Sequence, residues 1–254
     1  MTPPRVLLLI TLAETGGAQR YVASLLPTLT QEFEVVVAAH GDGFLVEASR
    51  SAGVRYVPLR HVRRPIDPLH DLLGLIELYR LFRRERPAAV HANSSKAGIL
   101  GRLAAFAARV PVRLFTAHGW AFRAHGGLTA IVYLWADRLM SPLTSMTICV
   151  AESERRAGLR ARTCRAGQTV VIHNGVELEQ PRRLSGAGRT PVTLVSVGRL
   201  RHLRRSVTGS ARRGDGGRSA SSPSLDAAAS TSRSIVPRCG GSAPAGSPPG
   251  GWRA

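Results

Sequence analysis

A chain of 254 residues with 44 % hydrophobic content is long enough for one large domain or two small ones. Its formal net charge of +19 invites a nucleic-acid reading, but Lys96 is the only lysine among the 35 basic residues. A surplus made of arginine points instead to a GC-rich coding habit and to solvated helix faces, and three scattered cysteines without a CxxC exclude a disulfide framework and a metal knot.

The elements follow in chain order. Arg5 to Ile10 is a short continuous apolar run, the pattern of a parallel strand buried on both faces. After a loop ending at Gly16-Gly17, Val22, Leu25, Leu26 and Leu29 recur at helical spacing. Phe33 to Ala39 then reads as a strand, Phe44 to Ala52 as a short helix and Val54 to Pro58 as a strand. A longer helix presents Leu69, Leu72, Leu73 and Ile76 on one face and ends in Arg80, Arg83, Arg84 and Arg86, cations that suit a helix C-terminus. Ala88–Ala92, Val112–Thr116, Met146–Val150 and Val170–His173 read as further strands. Helices over Lys96–Ala108, Gly127–Met140 and Glu152–Arg160 separate them. This alternation means an α/β fold, a doubly wound parallel sheet.

The pattern stops at the linker-like composition of 176–191. The segment 192–200 reads as the first strand of a second domain, and from Arg199 onward 43 of 56 residues are Arg, Ser, Gly, Ala or Pro. Such text has too little apolar surface to offset its ordering entropy, so 201–254 is expected to be a disordered tail behind a folded domain over 1–175. The N-terminal apolar run is broken by Glu14 and the stretch from Leu128 to Val150 by Asp137 and Arg138, so neither a signal peptide nor a spanning helix is expected. A cytoplasmic chain follows, with a basic face docked on an anionic membrane as a further reading.

Ligands of an open parallel sheet bind beyond the carboxyl ends of the strands. That rule selects Thr15-Gly16-Gly17-Ala18-Gln19, Asn93-Ser94-Ser95-Lys96, Ala117-His118-Gly119-Trp120 and Ala151-Glu152-Ser153. Gly16 and Gly17 at a helix N-terminus offer free N–H groups to a phosphate, or serve only to make a tight turn. His118 is the candidate catalytic residue. Trp120 and Phe122 are candidates for an acceptor wall, or pack against the following helix. Asn93 and Ser94 are candidates for holding acceptor hydroxyls, although a serine here also suits a helix cap. His91 and His173, placed within strands, read as core. The chain has no GxGxxG, P-loop, GxSxG or DxD motif.

Six segments in order, Gly16–Val22, Val90–Gly98, Phe115–Phe122, Ile148–Ser153, Val171–Val176 and Val195–Leu200, resemble family-4 retaining glycosyltransferases built from two Rossmann-like domains, the GT-B architecture. The resemblance implies a nucleotide-sugar donor, a carbohydrate or lipid-linked acceptor bound by this N-terminal half, and transfer with retention and without a metal or other cofactor. It also implies that Gly16 and Gly17 face the donor diphosphate, that His118 contacts the reacting sugar and that Arg199 neutralises phosphate. The family's later Lys-Gly and Glu-x7-Glu features are not found after Leu200, since Glu179 is the last glutamate. A frameshift after Leu200 would account for this and would leave a chain with little or no transferase activity. A different class, a non-catalytic Rossmann-type module whose basic tail binds nucleic acid or membrane, is the rival reading.

Overall fold

The computed structural model describes residues 3–175. Strand and helix alternate through β1 (Arg5–Leu12), α1 (Gly17–Leu29), β2 (Glu34–His40), α2 (Phe44–Ser51), β3 (Arg55–Leu59), α3 (Pro68–Glu85) and β4 (Ala89–Ala92). They continue through α4 (Ser95–Ala107), β5 (Val112–Ala117), a one-turn α5 (Ala121–Ala124), α6 (Gly127–Met140), β6 (Met146–Cys149), α7 (Glu152–Ala161) and β7 (Thr169–Val171). The strands form one seven-stranded sheet in the order β3-β2-β1-β4-β5-β6-β7, and every neighbouring pair is parallel. The expected doubly wound, Rossmann-like sheet is therefore present, and its winding reverses between β1 and β4. The expected linker 176–191, strand 192–200 and tail 201–254 lie outside the described residues.

Both faces of β1 are buried, which is why its sequence is a continuous apolar run rather than an alternating one. Val6, Leu8 and Ile10 join Val22 and Leu26 of α1 and Leu45 of α2 in one cluster. Leu7 and Leu9 point the other way, into a cluster with Leu78 and Phe82 of α3 and Leu100 and Ala104 of α4. A third cluster gathers Phe115, Trp120, Cys149, Ala157 and Cys164 around the far strands. Close approach of α4 depends on Gly98, where an added Cβ would lie 2.5 Å from the Phe115 ring.

Two sequence expectations change. Leu69, Leu72 and Ile76 of α3 are exposed; the buried stripe is instead Gly74, Leu78, Leu81, Phe82 and Glu85. The helix turns Gly74 toward His61 and Val62, where the small residue lets the preceding loop approach. His173 lies past the end of β7 and is exposed, so it is not core, because β7 is only three residues long.

Arginines are absorbed into the fold in two places. At the amino ends of the strands, Arg5 bonds Glu34 at 2.7 Å and Glu85 at 3.2 Å, while Arg55 and Arg84 also bond Glu85. The Arg55 hydrogen bond is the chief reason the Glu85 carboxyl is held below its usual range. Within the α4–α6 layer, the fully buried Arg102 donates to Asp137 Oδ1 at 2.7 Å and to the Gly98 carbonyl at 2.7 Å. Its guanidinium carbon also lies 4.1 Å from the centre of the Phe115 ring. Burial pushes Asp137 up and Arg102 down in pKa, against the attraction of each for the other.

A buried pair broken on one side leaves an uncompensated charge. Arg102→Met is therefore expected to lower unfolding free energy by about 3–5 kcal/mol. Arg102→Met combined with Asp137→Leu is expected to recover most of that loss. Urea unfolding of both variants measures the difference.

Candidate active site at the sheet's carboxyl edge

The reversal of winding parts the connections that leave β1 and β4, and hydroxyls bridge the gap. Ser94 Oγ accepts the Thr11 N–H at 3.0 Å and lies 2.7 Å from Thr11 Oγ1. Thr11 Oγ1 in turn accepts the N–H of Ala97, in the first turn of α4, at 3.2 Å. Ser94 thus occupies the N-cap position of α4 without capping it through its own side chain. The cap comes from Thr11 on the neighbouring strand. Ser94 Oγ is thus engaged in the junction between β1 and α4.

Gly16 and Gly17 open α1 on this same edge. Gly16 has an extended backbone, φ −172°, which any residue adopts. A Cβ on Gly17 would have no protein atom within 4 Å, and Gly17 is exposed. Packing within the domain therefore gives no reason for glycine at 17. The first N–H to bond within α1 is that of Arg20, to the Gly16 carbonyl, and neither a side-chain cap nor an acidic residue occupies the first turn. The N–H groups of Gly17, Ala18 and Gln19 thus make no hydrogen bond among the described residues, and at the positive end of the helix dipole they are suited to an anion.

His118 follows β5 on the same rim. Its ring meets that of Tyr21, one turn into α1, edge-on at 4.8 Å between centres. Tyr21 also lies edge-on to His91, at 6.3 Å. The glycine turn and the Ala117–Trp120 segment are thus brought together through Tyr21, a residue that the sequence pattern does not single out. Its place one turn after Gly17, on the inward side of α1, is the one signal that could have found it.

Burial lowers the pKa of His118 to about 4. His91 is likewise lowered to about 4, first by burial and then by the nearby His118, and its Nε2 lies 2.7 Å from Thr116 Oγ1. Both imidazoles are therefore neutral at physiological pH. His118 Nε2 and the neighbouring Asn93 Oδ1 are buried without a hydrogen-bond partner among the described residues. Unpaired buried polar atoms are uncommon and expensive, and here two of them lie at the ends of adjacent strands.

Two further expectations are corrected. Trp120 is only 2 % exposed, and its indole N–H donates to the Glu154 carbonyl at 2.8 Å. It is a core residue packed against α7, not an acceptor wall, and Phe122 packs against the same cluster. Asn93 is fully buried and donates to the His91 carbonyl at 2.9 Å, so it lies beneath the rim and not on it. Arg199 lies outside the described residues. Among the described residues no three His, Cys, Asp or Glu side chains are grouped to hold a metal ion.

The model of the family described as Glycosyltransferase Family 4 matches residues 15–180. The chain belongs to this family. Its described residues form the Rossmann-like N-terminal domain of a family-4 glycosyltransferase. A UDP-Gal:alpha-D-GlcNAc-diphosphoundecaprenol alpha-1,3-galactosyltransferase of Escherichia coli is 30 % identical over 188 residues, covering 69 % of this chain and 48 % of its own. The O-antigen biosynthesis glycosyltransferase WbnH, also of Escherichia coli, is 23 % identical over 197 residues, covering 78 % of this chain and 55 % of its own. The chain thus spans about half the length of the curated relatives it matches. Among solved structures, Anabaena HepE in complex with UDP shares the fold, with a TM-score of 0.55 and 21 % identity over 68 % of this chain and 44 % of that one.

Two histidines held neutral by burial tie the stability of this family-4 domain to pH. Their folded-state pKa values lie below the ordinary histidine value, so the unfolded chain binds more protons in between. Stability is complete above about pH 6.5 and falls as the pH drops toward about 4. His91 alone is expected to contribute a loss on the order of 2–3 kcal/mol over that window. Thermal midpoints measured from pH 7.5 to pH 4 should fall less steeply in His91→Gln than in the parent, about pH 6.5 being the onset.

Proposed function

We propose that this chain is the acceptor-side half of a retaining glycosyltransferase that moves a sugar from a nucleotide-sugar donor to a polysaccharide or lipid-linked acceptor. The observation that carries the reading is the meeting of His118 with the uncapped Gly17 helix terminus through Tyr21. It supports a reading in which a neutral imidazole stands near a helix terminus suited to an anion. The names of the relatives support the substrate class, since they include a transferase acting on a diphosphoundecaprenol-linked sugar and an O-antigen biosynthesis enzyme.

In this reading the anomeric carbon–oxygen bond to the diphosphate breaks as the acceptor oxygen bonds the same carbon from the same face. The departing diphosphate oxygen takes the acceptor's proton. The N–H groups of Gly17, Ala18 and Gln19 receive negative charge on the leaving phosphate, where preorganised donors have most effect. Neutral His118 contacts the reacting sugar, where an imidazolium would offer only donors. Arg199 adds positive charge to the phosphates, and no metal takes part. A lipid-linked acceptor places the reaction on the cytoplasmic face of a membrane.

The test uses the 254-residue chain with a soluble short-chain analogue of GlcNAc-diphospho-lipid. Weak binding that shifts the His118 imidazole resonances, survives added salt and disappears in His118→Ala is the expected result. Gly17→Ala should leave the thermal midpoint within about 2 °C of the parent, since no neighbour is displaced. Affinity for DNA that falls steeply with salt, with no response to the analogue, would establish the non-catalytic binding module instead.

A further inference from the structure

Cys149 and Cys164 stand fifteen positions apart in the sequence and belong to one apolar cluster between the sheet and α7. Cys149 closes β6, opposite Ala117 of β5 on one side and Val171 of β7 on the other, and it is fully buried. Cys164 follows α7 in the connection to β7, and Thr163 before it is anchored by its N–H to the Gly158 carbonyl at 3.0 Å. The Cys164 sulfur lies against the inner side of α7. A Cβ on Gly158 would fall 2.8 Å from Cys164 Sγ and 2.5 Å from the Trp120 ring, so sulfur and indole share one notch in the helix. The two thiols are within hydrogen-bonding reach of each other, and neither is in a disulfide.

The pair is chemically unequal. Cys149 has no exposed surface, whereas Cys164 keeps 6 % and is flanked in the chain by the exposed Arg162 and Arg165. Hydrogen bonding from Cys149 pushes Cys164 down in pKa, with the Thr169 hydroxyl and Arg155 acting in the same direction, and it pushes the donor Cys149 up. Buried cysteines that only fill space have neither nearby cations nor a second thiol in reach. A sulfur with thiolate character, a little access and a neighbouring thiol has the features of an oxidisable cysteine beside its resolving partner.

We propose that Cys149 and Cys164 form a site of reversible oxidation that takes hydrogen peroxide as its oxidant and closes to a disulfide. The Cys164 thiolate attacks the peroxide: a sulfur–oxygen bond forms, the oxygen–oxygen bond breaks, and the departing hydroxide takes a proton and leaves as water. Cys149 then gives up its proton and attacks the Cys164 sulfur. A sulfur–sulfur bond forms, the sulfur–oxygen bond breaks, and the second oxygen leaves as water with that proton. Two thiols are oxidised to one disulfide while one peroxide is reduced to two waters. Closure draws the sulfurs to about 2.05 Å. Cys149 is held in the strand ladder, so Cys164 moves, and its sulfur leaves the notch that it shares with Trp120. Trp120 stands two residues after His118 and donates to the Glu154 carbonyl of α7, which couples the site to the rim.

The experiment treats the full 254-residue chain, carrying Cys239→Ser so that the remaining cysteine of the sequence takes no part, with hydrogen peroxide at neutral pH. Trypsin separates Cys149, in the fragment 139–155, from Cys164, in the fragment 163–165, so mass spectrometry reads their cross-link directly. The linked fragments are expected, with loss of both free thiols, a shift of the His118 imidazole resonances, and return to the starting state with dithiothreitol. Cys149→Ser should leave Cys164 as a sulfenic acid that dimedone traps, and Cys164→Ser should slow oxidation of Cys149 at least about tenfold. The cross-link in the chain that keeps both cysteines is read without relying on either of these variants. Peroxide that oxidises glutathione but leaves both thiols reduced would overturn the proposal. So would irreversible oxidation of Cys164 without a cross-link, or a cross-link that forms as fast in urea as in the folded chain. Unmoved His118 resonances in the cross-linked chain would overturn the coupling to the rim. No sugar substrate is present, so none of these outcomes bears on the transferase reading.

Discussion

The Thr11–Ser94 hydroxyl pair holds the domain together at the place where the sheet changes its direction of winding. Parallel strands need helical crossovers, and crossovers of opposite direction separate at the switch point, opening a crevice that side chains must line or brace. Here the bracing is local and polar, with Ser94 on Thr11 and Thr11 on the first turn of α4. The bridge uses short side chains, and β1 and β4 stay paired to the end of β4, where Leu9 lies opposite Ala92. The glycine turn and His118 then need only one aromatic ring, Tyr21, to meet above it.

The two ends of the sheet follow opposite electrostatic rules. At the amino ends, Arg5, Arg55 and Arg84 converge on the buried carboxylate of Glu85, and charge is met by charge. On the carboxyl edge the two histidines beside Tyr21 are kept neutral by burial, and the α1 terminus has no carboxylate in its first turn. No acidic side chain of α1 stands where a phosphate would be received, and the N–H donors of that helix are left unspent. A domain with many arginines therefore does not need to use them as ligands. The cluster on Glu85 is a brace at the end remote from the rim.

Much of the fold is legible in the sequence because both sheet faces are covered. Continuous apolar strands with helical spacing between them fit hardly any architecture but a doubly wound sheet, and the rule that ligands gather at carboxyl strand ends places the Gly16-Gly17 turn and His118 on one edge. Side-chain direction is harder to read. Trp120 has the same local sequence whether it faces a cleft or the core; what decides is the carbonyl of Glu154, 34 residues away, which accepts the indole N–H. Ser94 has the sequence of a cap, but Thr11, 83 residues away, caps the helix in its place. Tyr21 escapes a sequence reading because tyrosine in the first turns of an amphipathic helix usually means packing. Here it does pack, but against the two histidines of the site.

The exposed rows on α3 and α6 show the same difficulty from the other side. Periodicity reports that a helix has an apolar face without saying what the face meets, and for that reason Leu69, Leu72 and Ile76 look like the inner face of α3 in sequence. In the structure the inner contacts of α3 come from Leu78, Leu81 and Phe82 farther along, and α4 is the helix that is truly enclosed, with α3 on one side and α6 on the other. An enclosed middle helix can use small residues such as Ala97, Gly98, Gly101, Ala104 and Ala105 because its neighbours supply the bulk. The flanking helices then have apolar surface to spare. On α6 that surplus is ordered into a single stripe of Leu128, Ile131, Val132, Trp135 and Leu139. A helix needed only to cover α4 would be satisfied by Tyr133, Asp137 and Met140, and the outer row is apolar surface that this packing leaves over.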